Sequence, residues 1–290
     1  MKILTLGTGP LTLRITPTAG AIIDAHHAGR PLMRPYADAG ETPERSRCAS
    51  FPLVPFGNRV EAGRFTFEGR DYHLPPNASE PHRIHGDGWQ ATWDIVDSAK
   101  SSATLAFAHE DEVYAYRAGQ VFRVEDDRFS VTLWVENAGP HSMPFGLGHH
   151  PYIPLTPKTL LHAPAQTFVA ERAEHLPGER LPLPADADFA EPSPVPPRWF
   201  NNGFEGWTGA ARIVWPETSL AVSITAPEAE GYFLFRPDTA FDPAYRGDYF
   251  CFEPMTHAAN AHNLPGGGGL RRLAPGERMS LTMTLTVEPI

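Results

Sequence analysis

Alternation of apolar and polar residues with a period of two is the strongest pattern in this sequence. The segment RFSVTLWVE at residues 128–136 places Phe, Val, Leu and Val on one face and mostly polar residues on the other. The segment SLTMTLTVE at residues 280–288 opposes apolar side chains to a row of threonines. This pattern is typical of strands that bury one face. Similar strands are predicted at Leu11–Thr16, Arg64–Phe67, Ala103–Ala108, Gly119–Val124, Arg212–Trp215, Leu220–Ile224, Tyr232–Phe235 and Asp248–Phe252.

Signs of helix are weak along the whole chain. The 31 prolines and 25 glycines favour many turns and short elements. A parallel α/β fold needs crossover helices, and the sequence offers no capped apolar stripe with helical spacing. The sequence therefore predicts an all-β fold, a large antiparallel β-sandwich, with residues 1–290 forming a single domain.

The segment Leu176–Pro197, LPGERLPLPADADFAEPSPVPP, is rich in proline. It should resist both a helix and a central strand. It could be an interdomain linker or a long surface excursion. Because both flanks have the same strand-rich character, we expect an excursion within one domain.

Charge and hydropathy exclude several kinds of partner. The net charge is −10 and no basic patch stands out, which argues against nucleic acid. No stretch approaches the ~18 consecutive apolar residues of a membrane helix, and the N-terminus alternates instead of resembling a signal peptide. Cys48 and Cys251 lie far apart in sequence and are expected to be buried thiols in a reducing compartment, so the cytoplasm is the expected location. Both a monomer and a homodimer stay open.

Histidines gather in three motifs, at His85, at His149 and His150, and at His257. A metal site is not predicted, because the HExxH signature is absent and two adjacent histidines on a strand point to opposite faces. The chain also lacks a GxSxG nucleophile elbow and a phosphate-binding loop. Acid–base chemistry remains.

Glu253 is the leading candidate for that chemistry. It ends the aromatic run DYFCFE and precedes Pro254. The run is apolar on both faces, so it predicts a central strand. A carboxyl group where such a strand leaves the core is partly desolvated, which raises its proton affinity. The proline is expected to turn the chain out of the sheet there; the alternative is an ordinary surface glutamate on a turn.

Four motifs, in order along the chain, resemble those of one family. NRVEAGRFTFEGRDYHLPPN, RIHGDGW, GLGHHPYI and CFEPMT together look like the aldose 1-epimerase (galactose mutarotase-like) family. The resemblance covers most of the chain, from about Leu11 to the last strand. It implies a galactose mutarotase-like supersandwich, a free sugar as the small-molecule substrate, and no metal or organic cofactor.

The resemblance also implies catalytic roles. Glu253 matches the family's general base on the C1 hydroxyl, and His150 matches the general acid on the ring oxygen. His85 matches a second histidine, which positions the sugar and stabilises charge that develops at the ring. Two nearby residues receive other interpretations: His149 is expected to be structural, and Asp87 is expected to form a turn by bonding its own backbone.

Sugar-binding roles follow in the same way. Arg59 matches an arginine that binds sugar hydroxyls, and Trp89 is a plausible wall of the cleft. Asn201 stands where the family usually has an aspartate, and an amide lacks the charge that strengthens bonds to hydroxyls. Trp207 could stack on a sugar face or pack in the core.

Other functions stay open beside aldose 1-epimerisation. A non-catalytic carbohydrate-binding or regulatory module would keep the cleft but would not need the glutamate and histidines. A sugar-phosphate mutarotase would need converging cations, for which Arg59 and Arg83 are candidates. A glycoside hydrolase would want a second carboxylate, either Asp87 or Glu205. The sequence does not select among hexoses and pentoses or between the D and L series.

Overall fold

The computed structural model describes residues 2–35 and 47–290. Their regular structure is almost entirely β. The strands are β1 (Leu4–Thr8), β2 (Leu11–Thr16), β3 (Ala21–His27), β4 (Arg30–Pro31), β5 (Pro52–Leu53), β6 (Arg59–Val60), β7 (Arg64–Phe67), β8 (Arg70–His73), β9 (Arg83–Ile84), β10 (Asp94–Ser98), β11 (Ser102–Glu110), β12 (Ala115–Glu125), β13 (Arg128–Asn137), β14 (Met143–Phe145), β15 (Gly148–His149), β16 (Tyr152–Pro154), β17 (Leu160–His162), β18 (Thr167–Arg172), β19 (Leu176–Leu181), β20 (Ser193–Pro194), β21 (Phe200–Glu205), β22 (Ala210–Trp215), β23 (Leu220–Thr225), β24 (Gly231–Arg236), β25 (Tyr249–Met255), β26 (Arg271–Leu273) and β27 (Arg278–Pro289). Short 3₁₀ helices lie at Glu61–Gly63, Ala173–His175, Pro216–Thr218, Ala261–Asn263 and Pro265–Gly269.

Two large antiparallel sheets form the body of the molecule, which confirms the predicted β-sandwich. One has nine strands in the order β10-β11-β12-β13-β27-β23-β22-β17-β20. The other has eight, in the order β19-β18-β21-β24-β25-β15-β5, with β16 also paired to β25. A four-stranded sheet, β1-β2-β3-β4, and three two-stranded ribbons complete the fold.

One hydrophobic cluster joins the inner faces of the two large sheets. The alternating residues of β13, such as Phe129 and Leu133, meet this cluster from the nine-stranded sheet. Tyr232, Phe250 and Phe252 meet it from the eight-stranded sheet. On the other face of β13, Thr132 bonds Thr282 of β27, as the alternation predicts. The shared core favours the interpretation of the chain as one domain.

The proline-rich segment Leu176–Pro197 contributes two strands, both at sheet edges. Strand β19 borders the eight-stranded sheet and β20 borders the nine-stranded sheet. Proline has no N–H to donate to a neighbour, so an edge is where a sheet tolerates it. The segment is therefore an excursion between two edge strands, and it also buries Ala187 and Phe189 in the core.

No helix among residues 2–35 and 47–290 has the length and apolar character needed to cross a membrane. Cys48 and Cys251 are both buried and are not joined by a disulfide.

Candidate active site

Strand β25 carries Glu253 on the face of the eight-stranded sheet that turns away from the shared core. Phe250 and Phe252 point into the core, so Cys251 and Glu253 point to the opposite face because side chains alternate along a strand. We call this opposite face the site face. A second hydrophobic cluster lies on it, formed by Phe51, Leu53, Phe233, Met255 and their neighbours.

The expectation that the chain leaves the sheet at Pro254 is wrong. Strand β25 continues to Met255, which pairs with Gly231. The backbone N–H groups of Phe252 and Thr256 donate to the carbonyls of Pro151, in the break between β15 and β16, and of Leu147, just before β15. The nitrogen of Pro254 lies between them on the same edge, opposite His149, the last residue of β15 before the break. Glu253 reaches the site through strand alternation and not through a turn.

Glu253 and His150 form a buried pair. The Oε1 atom of Glu253 lies 3.2 Å from Nε2 of His150, and the two side chains are 2% and 7% exposed. Burial raises the pKa of Glu253 to about 8, with the nearby positive charge of Arg59 acting in the opposite direction. Burial also lowers the pKa of His150 to about 3. The pair therefore holds a single proton at neutral pH.

The other polar atoms of this pair have no protein partner among the described residues. These are Nδ1 of His150 and Oε2 of Glu253. The imidazole stacks on Phe51, with 4.4 Å between ring centroids. A buried carboxyl oxygen without a hydrogen bond is costly, so it is a natural place for a substrate hydroxyl.

His85 lies on a tight turn beside the pair. His85 and Gly86 both have positive φ, of 58° and 61°, which fits a histidine followed by glycine at a bend. The backbone N–H of Asn58 donates to Nδ1 of His85 over 3.1 Å. Burial lowers the pKa of His85 well below its ordinary value, so the neutral ring carries its proton on Nε2. Its ring centroid is 5.2 Å from that of His150.

Arg59 and Trp89 complete the wall around these groups. Arg59 is buried, and its Nε donates to Oε2 of Glu80 over 2.7 Å. Its charge lowers the pKa values of both Glu253 and His85, so the guanidinium lies near both. Trp89 sits edge-on to His85 at 6.1 Å, and its indole N–H donates to the carbonyl of Ile84.

Asn201 is on the site face, and its side-chain amide donates hydrogen bonds to other protein groups. It pairs with Phe235, which pairs with Cys251, so it lies two strands from β25. Its Nδ2 donates to Oε1 of Glu171 over 2.8 Å and to the carbonyl of His175 over 3.3 Å. The amide of Asn201 therefore holds the carboxylate of Glu171 in place.

Glu171 is the residue that the sequence analysis missed. Its carboxylate accepts hydrogen bonds from Asn201 and from the indole of Trp199, and it contacts Nδ1 of His175 at 2.6 Å. It puts a negative charge on the site face from the neighbouring strand β18. No motif marks it, since only the strand pairing brings residues 171 and 201 together.

Trp207 does not join the site. Its ring packs edge-on against Tyr232 and Phe252, on the core side of the sheet, and its indole N–H donates to the carbonyl of Ala210. Of the two interpretations left open for Trp207, core packing is the observed one. The sugar-binding interpretation is wrong, because Trp207 packs against Phe252, and Phe252 and Glu253 point to opposite faces of the sheet.

Two neighbours of the catalytic motifs are structural. His149 is buried on the face opposite His150 and bonds the backbone of Leu281, as expected. Asp87 differs from the expectation of a simple turn-former. Its carboxylate pairs with Arg83 and accepts a hydrogen bond from the hydroxyl of Tyr116.

One cluster among the described residues offers three donor atoms to a cation. The donor atoms of His150, Cys251 and Glu253 lie within 4.8 Å of one another, and all three residues are buried. A nitrogen, a sulfur and an oxygen suit zinc. The positive charge of Arg59 beside Glu253 opposes a cation there.

Comparison with known proteins finds relatives along almost the whole chain. A family model for aldose 1-epimerase matches residues 2–286. The uncharacterized protein YphB of Escherichia coli K12 is 44% identical over 291 residues, which is 99% of each chain. The crystal structure of a candidate aldose 1-epimerase from Escherichia coli K12 has a TM-score of 0.96 at 42% identity, covering 100% of this chain and 99% of that one. A galactose 1-epimerase from Lactobacillus acidophilus NCFM shares the fold, with a TM-score of 0.80 at 15% identity over 99% of this chain and 94% of that one.

Proposed function

The chain belongs to the aldose 1-epimerase family, and from this membership and the geometry of its site we propose that it interconverts the α and β anomers of a free aldose. The observation that carries the proposal is the buried pair of Glu253 and His150, 3.2 Å apart. The pair shares one proton at neutral pH, since the pKa of the carboxyl group is about 8 and that of the imidazole about 3. Ring opening needs one group to take a proton while the other gives one.

The reaction uses that proton as follows. The proton first passes from the carboxyl group of Glu253 to Nε2 of His150 across their 3.2 Å contact. Glu253, now a carboxylate, takes the proton of the C1 hydroxyl, and the O–H electron pair becomes the second bond of the C1 carbonyl. The bond between C1 and the ring oxygen breaks, and its electron pair takes the proton of the His150 imidazolium. Rotation about the C1–C2 bond presents the other carbonyl face, and the reverse transfers close the ring. Each positioned proton transfer contributes roughly 10²–10⁴-fold.

His85 and Arg59 are assigned supporting roles in this proposal. The neutral His85 ring presents Nε2–H as a donor, which can stabilise negative charge that develops on a ring oxygen. The guanidinium of Arg59 lies near Glu253 and His85 while its Nε is held by Glu80. Its fixed orientation suits hydrogen bonds to sugar hydroxyls.

The competing functions are less well supported. A pure binding module has no need of an acid–base pair, and this chain keeps one in a buried position. The arginines considered for a sugar phosphate are engaged, Arg59 with Glu80 and Arg83 with Asp87. A glycoside hydrolase needs a second carboxylate, and both candidates are engaged: Asp87 is held by Arg83, and Glu205 accepts two hydrogen bonds from Arg180. The carboxylate of Glu171 on the site face is likewise held, by Asn201 and Trp199.

Polarimetry tests the proposal. Freshly dissolved α-anomers of galactose, glucose, L-arabinose and xylose are followed with the wild type, with Glu253→Gln and with buffer. We expect the wild type to accelerate relaxation for at least one sugar and the variant to match buffer. Acceleration that survives in Glu253→Gln would remove the proposed base, and no acceleration with any sugar would favour the binding module.

A further inference from the structure

Three side chains that can ligate zinc meet at the acid–base pair. The donor atoms of His150, Cys251 and Glu253 lie within 4.8 Å of one another, and all three residues are buried. Cys251 and Glu253 share the site face because they alternate along strand β25. His150 joins them because Tyr152, two residues further on, pairs with Cys251. The proposed reaction uses the histidine and the glutamate and gives no part to the cysteine.

The separations in this cluster are close to those that a zinc ion imposes. Zinc binds imidazole nitrogen and carboxylate oxygen at about 2.0–2.2 Å in a tetrahedron, which places two such ligand atoms about 3.3 Å apart. Nε2 of His150 and Oε1 of Glu253 are already 3.2 Å apart. A sulfur bound at about 2.3 Å would lie about 3.6 Å from either atom, so the donor of Cys251 has to close a gap of at most about 1.2 Å.

Two polar atoms of the cluster remain available to a ligand. Oε2 of Glu253 and Nδ1 of His150 are buried and have no hydrogen-bond partner in residues 2–35 and 47–290. A buried polar atom without a partner is unusual, so it points to a ligand. Phe51 stacks on the imidazole, with 4.4 Å between ring centroids, and limits its rotation. The cluster therefore offers a fixed imidazole and a carboxylate with spare acceptor capacity.

The positive charges around the cluster do not prevent this exchange. Arg59 lies near Glu253, and Arg34 lies near His150 and Cys251. Zinc ligands bind in their deprotonated form, so the ion displaces the proton shared by Glu253 and His150 and the thiol proton of Cys251. Two protons leave for the solvent as the ion brings two positive charges. The net charge beside the two arginines is therefore unchanged.

The donor set favours zinc over the more abundant divalent ions. Magnesium and calcium prefer oxygen ligands, and this cluster offers a single carboxylate beside a nitrogen and a sulfur. Zinc accepts that combination, and three protein ligands leave a fourth position open to water. An ion bound there would occupy the atoms that exchange the proton in the proposed reaction.

We propose that His150, Cys251 and Glu253 form a zinc site whose occupation reversibly inhibits anomer interconversion. The inference rests on the proposed function, since it names a regulation of the same site. Zinc is an inhibitor here and not a cofactor, because the reaction needs the proton that the ion displaces.

A titration with cobalt(II) tests the site without measuring activity. A thiolate bound to cobalt gives a sulfur-to-metal charge-transfer absorption in the near ultraviolet, and excess zinc should remove it by displacement. We expect this absorption with the wild type and with Cys48→Ala, which removes the other buried thiol, but not with Cys251→Ala. The Kd for zinc, from competition with a chromophoric chelator, should rise at least about tenfold in Cys251→Ala and stay unchanged in Cys48→Ala. Thermal unfolding without metal checks both variants, and Cys251→Ser replaces the alanine variant if that one does not fold.

Mutarotation is then followed by polarimetry with zinc present. At about ten times the wild-type Kd, zinc should lower the rates of the wild type and of Cys48→Ala about tenfold, and that of Cys251→Ala less than about twofold. Magnesium at the same concentration should leave all three rates unchanged, and EDTA should restore the inhibited ones.

The outcomes separate the two proposals. If the wild type gives no charge-transfer absorption, or if Cys251→Ala keeps the wild-type affinity for zinc, the zinc site is wrong while the epimerase stands on its own rate. A wild-type rate that saturating zinc leaves unchanged would overturn the inhibition. If zinc binding depends on Cys251 but no sugar is turned over, the metal site stands, and the proposed function is overturned together with its inhibition.

Discussion

Replacing Glu253 by glutamine should abolish activity and remove a loss of stability that the wild type undergoes as the pH rises from 5 to 8. The wild-type carboxyl group is 2% exposed, and burial raises its pKa from an ordinary 4.5 to about 8. Between these two values the unfolded chain carries an ionised Glu253 and the folded chain a protonated one. The folded state then binds more protons, so its stability falls as the pH rises through this window.

The magnitude follows from the two pKa values. The free energy of unfolding should fall by about 1.4 kcal/mol for each pH unit within the window. From pH 5 to pH 8 this amounts to about 3–4 kcal/mol. Glutamine does not titrate, so the stability of Glu253→Gln relative to the wild type should rise by that amount over the same range. All other titrating groups cancel in the comparison.

Urea unfolding of both proteins at pH 5, 6, 7 and 8 measures this trend. Glu288→Gln is the control, because hydrogen bonds from Arg212 and Ser223 lower the pKa of Glu288. Its contribution is lost only as the pH falls through the folded pKa, so the difference between Glu288→Gln and the wild type should stay flat from pH 5 to pH 8. A change below about 1 kcal/mol for Glu253→Gln over this range would refute the raised pKa and the single-proton pair.

Three further outcomes are expected. The kcat for mutarotation should fall about tenfold per pH unit above about pH 8, because the pair of Glu253 and His150 then loses its single proton; a rate that instead rises up to pH 8 would contradict the shared proton. His85→Asn, which tolerates the positive φ but loses the Nε2–H donor, should lower kcat by roughly 10²–10³-fold with little change in thermal unfolding. Asn201→Asp should lower the unfolding temperature by placing a second carboxylate against Glu171, and adding Glu171→Gln should restore it; equal unfolding temperatures for the single and double variants would show that the two side chains do not interact.

Alternation predicted the long strands because each one buries a single face against the core. Leu11–Thr16 and Arg64–Phe67 have the predicted bounds, and the other predicted strands lie within or overlap observed ones. The two-residue strands Pro52–Leu53 and Gly148–His149 have no such signal. They exist because distant segments pair there, and a two-residue stretch is too short to show a period.

Some residues of the site could also be predicted from the sequence, and others could not. Glu253, His150 and His85 stand in motifs that a reader of the sequence can find, and the fold brings them together. The side chains that hold the neighbouring residues of the site could not be found in this way. Glu80 holds Arg59 from 21 positions away, and Glu171 contacts Asn201 from 30 positions away. Local patterns do not record such pairs. The direction of Trp207 likewise depends on which side of the eight-stranded sheet faces the core.

Magnetisation transfer between the C1 protons of the two anomers at equilibrium tests the central claim most directly. It measures anomer exchange itself, with no net reaction and no coupling enzyme, for glucose and for the best sugar found by polarimetry. The account predicts exchange that increases in proportion to wild-type concentration and equals the buffer rate with Glu253→Gln. Exchange at the buffer rate with the wild type, or equal exchange with both proteins, would contradict it.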